Sequence, residues 1–135
     1  MTFDKVSERP ESEDERAQRP SQLTQITRAM VAIYKEQFGS GPRSAHSHYA
    51  GSDSIVCFLE GSLTPVERSL AVIGEDQQLR DIRGLFQHAA EDSFRSAIEA
   101  ITGRSVVAFI SGIDTKADIS SEVFLLEPIS DRSAE

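Results

Sequence analysis

A single cysteine stands in the 135 residues, so no internal disulfide can staple this chain. Cys57 falls inside an apolar stretch and is expected to pack as a small hydrophobe. Basic residues are in deficit too: 14 Lys and Arg against 22 Asp and Glu leave a net charge of -8. A phosphate backbone is gripped mainly by Lys and Arg, so this balance argues against general nucleic-acid binding. Adhesion to anionic lipid wants a basic cluster, which is missing. No apolar run approaches the ~20 residues that cross a bilayer, and Val106–Ile110 falls far short. Direct membrane insertion is therefore not expected. The acidic N-terminus lacks the apolar core of a secretory signal, which makes a cytoplasmic location the expectation. Gly-rich dinucleotide fingerprints are absent as well. Ser105 and Ser111 have no evident His and Asp partners for nucleophilic catalysis.

What is present divides the chain unevenly. Residues 1–20 hold few apolar side chains among charges of both signs, too little burial to offset ordering entropy. They are expected to form a mobile acidic tail, and 128–135 a short flexible one. Residues 21–127 form the folding unit. In it, Leu23, Ile26, Met30, Ile33, Tyr34 and Phe38 recur at helical spacing, with Pro20-Ser21 as a start and Gly39 as a stop. Two strands are expected next, a polar edge strand over 44–50 and an inner strand over 55–59, turning at Gly51-Ser52-Asp53. The second is apolar on both faces, which suits a central strand covered on both sides.

Thr64-Pro65-Val66-Glu67 is the sharpest local signal. Thr64 can cap the backbone N–H of Glu67, Glu67 can return the bond, and Pro65 fits the first helical position. A short helix over 65–73 follows. A longer one is expected to carry Leu79, Ile82, Phe86, Ala90, Phe94 and Ile98 on one stripe, with Arg80, Gln87 and His88 facing away. Gly84 marks either a close contact or a break. Strands over 105–111 and 122–126 close the chain around an exposed loop. The order α-β-β-α-α-β-β predicts an α+β fold with a four-stranded, mostly antiparallel sheet and helices packed on it.

Five segments in this order carry a resemblance: Gly39-Ser40-Gly41-Pro42, Gly61–Arg68, Leu79–Arg83, Glu99–Val106 and Glu122–Leu126. Read together, the chain from Leu23 to Glu127 resembles the MpsC-like family, a component of a Na+-translocating, membrane-potential-generating system. Two positions depart from that family's pattern. Ser40 stands where a basic residue is common, which weakens an anion-binding role for its loop, and Ala117 stands where proline is common. A protein that moves sodium must span the bilayer, and this chain has no such segment. The resemblance therefore implies an accessory protein whose partner is a membrane ion or bicarbonate transport assembly.

Several residues invite sharper roles. Gly39, Gly41, Pro42 and Arg43 can present backbone N–H groups and a charge to an anion, although helix-stop and turn chemistry explain them as well. Arg80, Arg83 and Arg104 could join Arg43 around an anionic metabolite, or simply solvate a surface. His46 and His48 share one side of a strand, half of a metal site, but no third ligand is evident and an exposed pair is the favoured reading. Asp114 and Asp118 could take a cation. Thr64, Pro65 and Glu67 are assigned to the helix cap. No catalytic set, metal or cofactor is called for. The expectation is a non-enzymatic interaction module, homodimeric, with an anionic-ligand sensor as the alternative and an enzyme of unknown class behind it.

Overall fold

The computed structural model of the protein, which describes residues 11–129, begins with a helix longer than its apolar stripe. Helix α1 spans Glu13–Phe38. Ser12 accepts a hydrogen bond from the Glu15 N–H at 3.1 Å, and Glu15 Oε1 accepts from the Ser12 N–H at 2.8 Å. This capping box moves the helix start to 13, so residues 13–20 are helical and not the tail that composition suggests. Arg19 helps hold them by stacking over Tyr49, 4.3 Å from the ring centroid, and donating to the Gly51 carbonyl. The ends 1–10 and 130–135 lie outside the described residues.

Gly39 closes α1 in the left-handed conformation, with φ 83°. Strands β1 (Ser44–Tyr49) and β2 (Ser54–Glu60) then form the expected antiparallel hairpin. Helix α2 (Pro65–Val72) starts on the Thr64–Glu67 capping box, with Pro65 in its first turn. The single long helix expected after it is two: α3 (Asp76–Ala89) and α4 (Glu91–Thr102). The break falls at Ala90, near φ -94° and ψ 1°, and not at Gly84. It redirects the chain so that α3 packs beside α2 while α4 packs on α1. Strands β3 (Val106–Asp114) and β4 (Ile119–Leu126) complete the fold.

The sheet order is β1-β2-β4-β3, with every pairing antiparallel. The α+β class, the four strands and the edge position of β1 are as the sequence predicts. One sheet face is the core. Ile55, Cys57, Leu59, Phe124 and Leu126 meet Ile26, Met30, Phe94 and Ile98 from α1 and α4. Phe109 stacks between Phe94 and Phe124, with centroids 5.3 and 5.1 Å apart. The other face, which the apolar pattern of β2 assigns to a covered layer, meets no helix among the described residues.

The loop expected over 112–121 is mostly strand, and its turn is built in. Asp118 adopts φ 55° and its Oδ1 accepts from the N–H groups of Ser62 and Leu63 at 3.0 and 3.1 Å. Thr115 is buried and donates to Asp76 Oδ1 at 2.6 Å. The turn therefore anchors the entry to α2 and the first turn of α3. Asp118→Ala should cost about 1–3 kcal/mol by orphaning two N–H donors, while Asp118→Asn keeps the acceptor and most of the stability. Urea unfolding of the two variants measures the difference.

Candidate functional site

Two features stand out: a polar column inside the core and an uncovered apolar sheet face. The column begins at Arg83, on the inward side of α3 and fully buried. Its guanidinium donates to both oxygens of Glu67 at 2.6 and 2.7 Å and to the Ser62 carbonyl at 2.9 Å. The Phe38 ring lies against it, 3.7 Å from centroid to Cζ. Burial alone would raise the Glu67 carboxyl, but the Arg83 hydrogen bonds and charge, with the Thr64 N–H, hold it below its ordinary range. Glu67 thus caps α2 and neutralises Arg83 with one carboxylate.

One turn on, Gln87 is buried and points inward, contrary to the expectation that it faces away, and in line with its place eight residues after Leu79. It donates to Glu122 Oε1 at 3.1 Å. Tyr34 and Ser111 donate to the same oxygen, each at 2.8 Å. Glu122 is wholly buried in β4, and its Oε2 has no hydrogen-bond partner among the described residues. Burial pushes its carboxyl up to about 7, against the pull of its three donors and of Arg83. Burial likewise raises the Tyr34 hydroxyl, and lifts the Cys57 thiol to about 11. Cys57 is a free, buried thiol, packed as its apolar surroundings suggest.

The expected arginine set does not form one site. Arg83 bonds at the end of β2 beside Ser62, whereas Arg104 bonds to Asp53, the Ser52 carbonyl and the Glu127 carbonyl at the start of that strand. Seven residues of strand separate the two ends, roughly 20 Å. Arg80 is exposed and donates to Gln77 on its own helix. Arg43 is exposed and lies against Gly61. Gly39 and Pro42 lie in the turn from α1 to β1, and a Cβ on Gly41 would meet the Lys35 side chain. Thr64, Pro65 and Glu67 occupy their expected cap. Asp114 accepts from the N–H groups of Lys116 and Ala117, so both loop aspartates serve the backbone.

The uncovered face follows from register. Val56 and Phe58 on β2, Val123 and Leu125 on β4, and Ala108 and Ile110 on β3 share the side opposite the core. Ile110 is 56% exposed, and Val107, displaced by a bulge, 59%. A second apolar surface lies on α2, which buries no residue. Val66, Leu70 and Ile73 form its stripe, with Val66 74% and Ile73 70% exposed. No described helix is long and apolar enough to cross a membrane.

Residues 19–128 match the family model described as the Na+-translocating membrane potential-generating system, MpsC. The chain belongs to the MpsC family. No curated protein and no solved structure matches it. The matched span contains both the polar column and the open face, and it starts inside α1, several residues after the helix begins.

Two outcomes follow for the column. Glu67→Ala should cost about 3–5 kcal/mol by stranding a buried guanidinium, and Arg83→Met in the Glu67→Leu background should recover much of it. Denaturant unfolding of the single and double variants tests the pair. For Glu122 the native state holds a proton that the unfolded chain releases, between the ordinary carboxyl value of 4.5 and about 7. Its contribution is full below that window and is lost as the pH rises through it, on the order of 3 kcal/mol. Melting temperature should therefore fall from pH 5 to pH 8, and Glu122→Gln should flatten the decline in thermal scans.

Proposed function

We propose that this chain is a non-enzymatic accessory module of the MpsC system, working as a homodimer that docks on a membrane ion-transport assembly. The observation that carries it is the apolar sheet face left open by the helices. A chain with net charge -8 keeps Val56, Phe58, Ile110, Val123 and Leu125 together on a face where His46 and His48 lie along the β1 edge and Glu60 and Asp114 at strand ends. A contiguous apolar face of this kind favours removal from water. A second copy can cover it isologously, apolar against apolar, with most of the acidic surface pointing away. Closed two-fold pairing of this face would leave α2 available. Its stripe of Val66, Leu70 and Ile73 suits a groove on a larger partner.

Among the described groups with raised proton affinity, Glu122, Tyr34 and Cys57 lie in the closed core, and the half-buried Tyr49 commits its hydroxyl to Gln22. That favours a binding role over catalysis. The family description ties the chain to sodium translocation, and a subunit with no spanning helix among its described residues would contribute by contact with one that has it.

Sedimentation velocity over a hundredfold dilution should show a dimer that dissociates at the low end. Ile110→Glu, at an exposed position, should give a monomer that keeps its fold by circular dichroism. A wild-type monomer at every concentration removes the dimer. For the partner, Val72→Cys provides a surface thiol, since Cys57 is buried, and a photo-crosslinker there should recover an ion-transport membrane protein from native cells. Its absence from the crosslinked material, with the dimer intact, removes only the partner.

A further inference from the structure

Two imidazoles on the edge strand are arranged in a way that aromatic packing alone does not require. His46 and His48 lie on the outer face of β1, opposite Phe58 and Val56 of β2. Both are exposed. Their rings sit 4.8 Å apart at 71°, with Phe58 5.4 Å from the first and 6.5 Å from the second. His46 Nδ1 and His48 Nε2 point at each other across 2.6 Å. On the far side of the first ring, His46 Nε2 lies 3.8 Å from Glu60 Oε2, and Ser44 Oγ donates to that same oxygen at 3.1 Å.

We propose that His46 and His48 form a surface chelate for a late first-row divalent transition ion, such as Cu2+, Ni2+ or Zn2+, with Glu60 as its positioning residue. Two ring nitrogens facing each other at this distance have room for one proton between them. A metal ion can replace that proton, because imidazole nitrogen is a preferred donor for these ions. Bonds of ~2.0–2.1 Å place the two nitrogens roughly 2.9–3.3 Å apart around the ion. Opening the pair by less than an ångström is enough, and exposed rings on an edge strand can turn that far.

Glu60 supplies the outer contact. At 3.8 Å the Glu60 carboxylate is beyond hydrogen-bond reach and acts through its charge, which favours the His46 tautomer protonated at Nε2 and leaves the Nδ1 lone pair for the ion. Glu60 reaches this position only through the hairpin, which sets it across from Ser44 and diagonal to His46. Among the described residues no three His, Cys, Asp or Glu side chains gather around one ion, so the site is a two-nitrogen chelate with water in the remaining positions. Oxygen-seeking Mg2+ and Ca2+ would not favour it.

The test is a calorimetric titration of the metal-free full chain with Cu2+, Ni2+ and Zn2+ salts separately, with Mg2+ as the contrast. Saturable binding is expected, weakened at least tenfold by His46→Ala and by His48→Ala and several-fold by Glu60→Gln. Both histidines are exposed, so the variants should melt with the parent, which circular dichroism verifies. Proton resonances of the two rings should shift or broaden together at substoichiometric metal. Equal affinity in the parent and both histidine variants, or no saturable binding by the parent, overturns the site.

Discussion

A four-stranded sheet with helices on one side must place its residues unequally, and most of this structure answers to that inequality. The inner positions of β2 and β4 carry Ile55, Cys57, Leu59, Phe124 and Leu126, which lose their water to α1 and α4. The outer positions carry Val56, Phe58, Val123 and Leu125, which no helix covers and which stay partly exposed. Apolar burial is roughly proportional to area, so the first set drives folding of the single chain while the second is left over. The same division explains why β2 reads as apolar throughout although only half of it lies in the core of this chain.

The inner face is not uniformly apolar. Ser120 and Glu122 alternate with Phe124 along β4, and α3 sends Arg83 and Gln87 toward that side. Such groups are costly away from water unless each finds a partner. Arg83 finds Glu67 and the Ser62 carbonyl; Gln87, Tyr34 and Ser111 converge on one oxygen of Glu122. The second oxygen and Ser120 Oγ are buried without a partner among the described residues. The core is therefore held in one arrangement by directional bonds as well as by packing.

Local chemistry is where the sequence speaks most clearly. Thr64, Pro65 and Glu67 declare a helix start because their partners lie within three residues, and Gly39 and Gly103 declare helix ends for the same reason. Ser12 and Glu15 spell the same cap, but the charged composition around them masks it. Ala90 carries no breaker chemistry, so the division between α3 and α4 is dictated by what each packs against. Arg83 and Gln87 follow Leu79 by four and eight residues, on the buried side of α3, but their polar side chains disguise that position. Their partners, Glu67 and Glu122, sit 16 and 35 positions away, and only the fold brings them together. The pairing of Glu60 with the histidine strand is hidden for a similar reason, since it depends on hairpin register.

Glu67 joins two helices through one side chain. Helix α2 fully buries none of its own residues, so beyond the Asp118 anchor at its entry it is held chiefly by the bond from its first turn to Arg83 on α3. Fraying the start of α2 would take the carboxylate away from a guanidinium that has no route to water. Local opening of these eight residues is thereby coupled to disruption of the neighbouring helix, and their amide hydrogens should exchange as part of one cooperative unit with those of α3. A segment that by burial alone would be among the loosest in the protein is tethered by electrostatics, presenting its apolar stripe on a nearly fixed support.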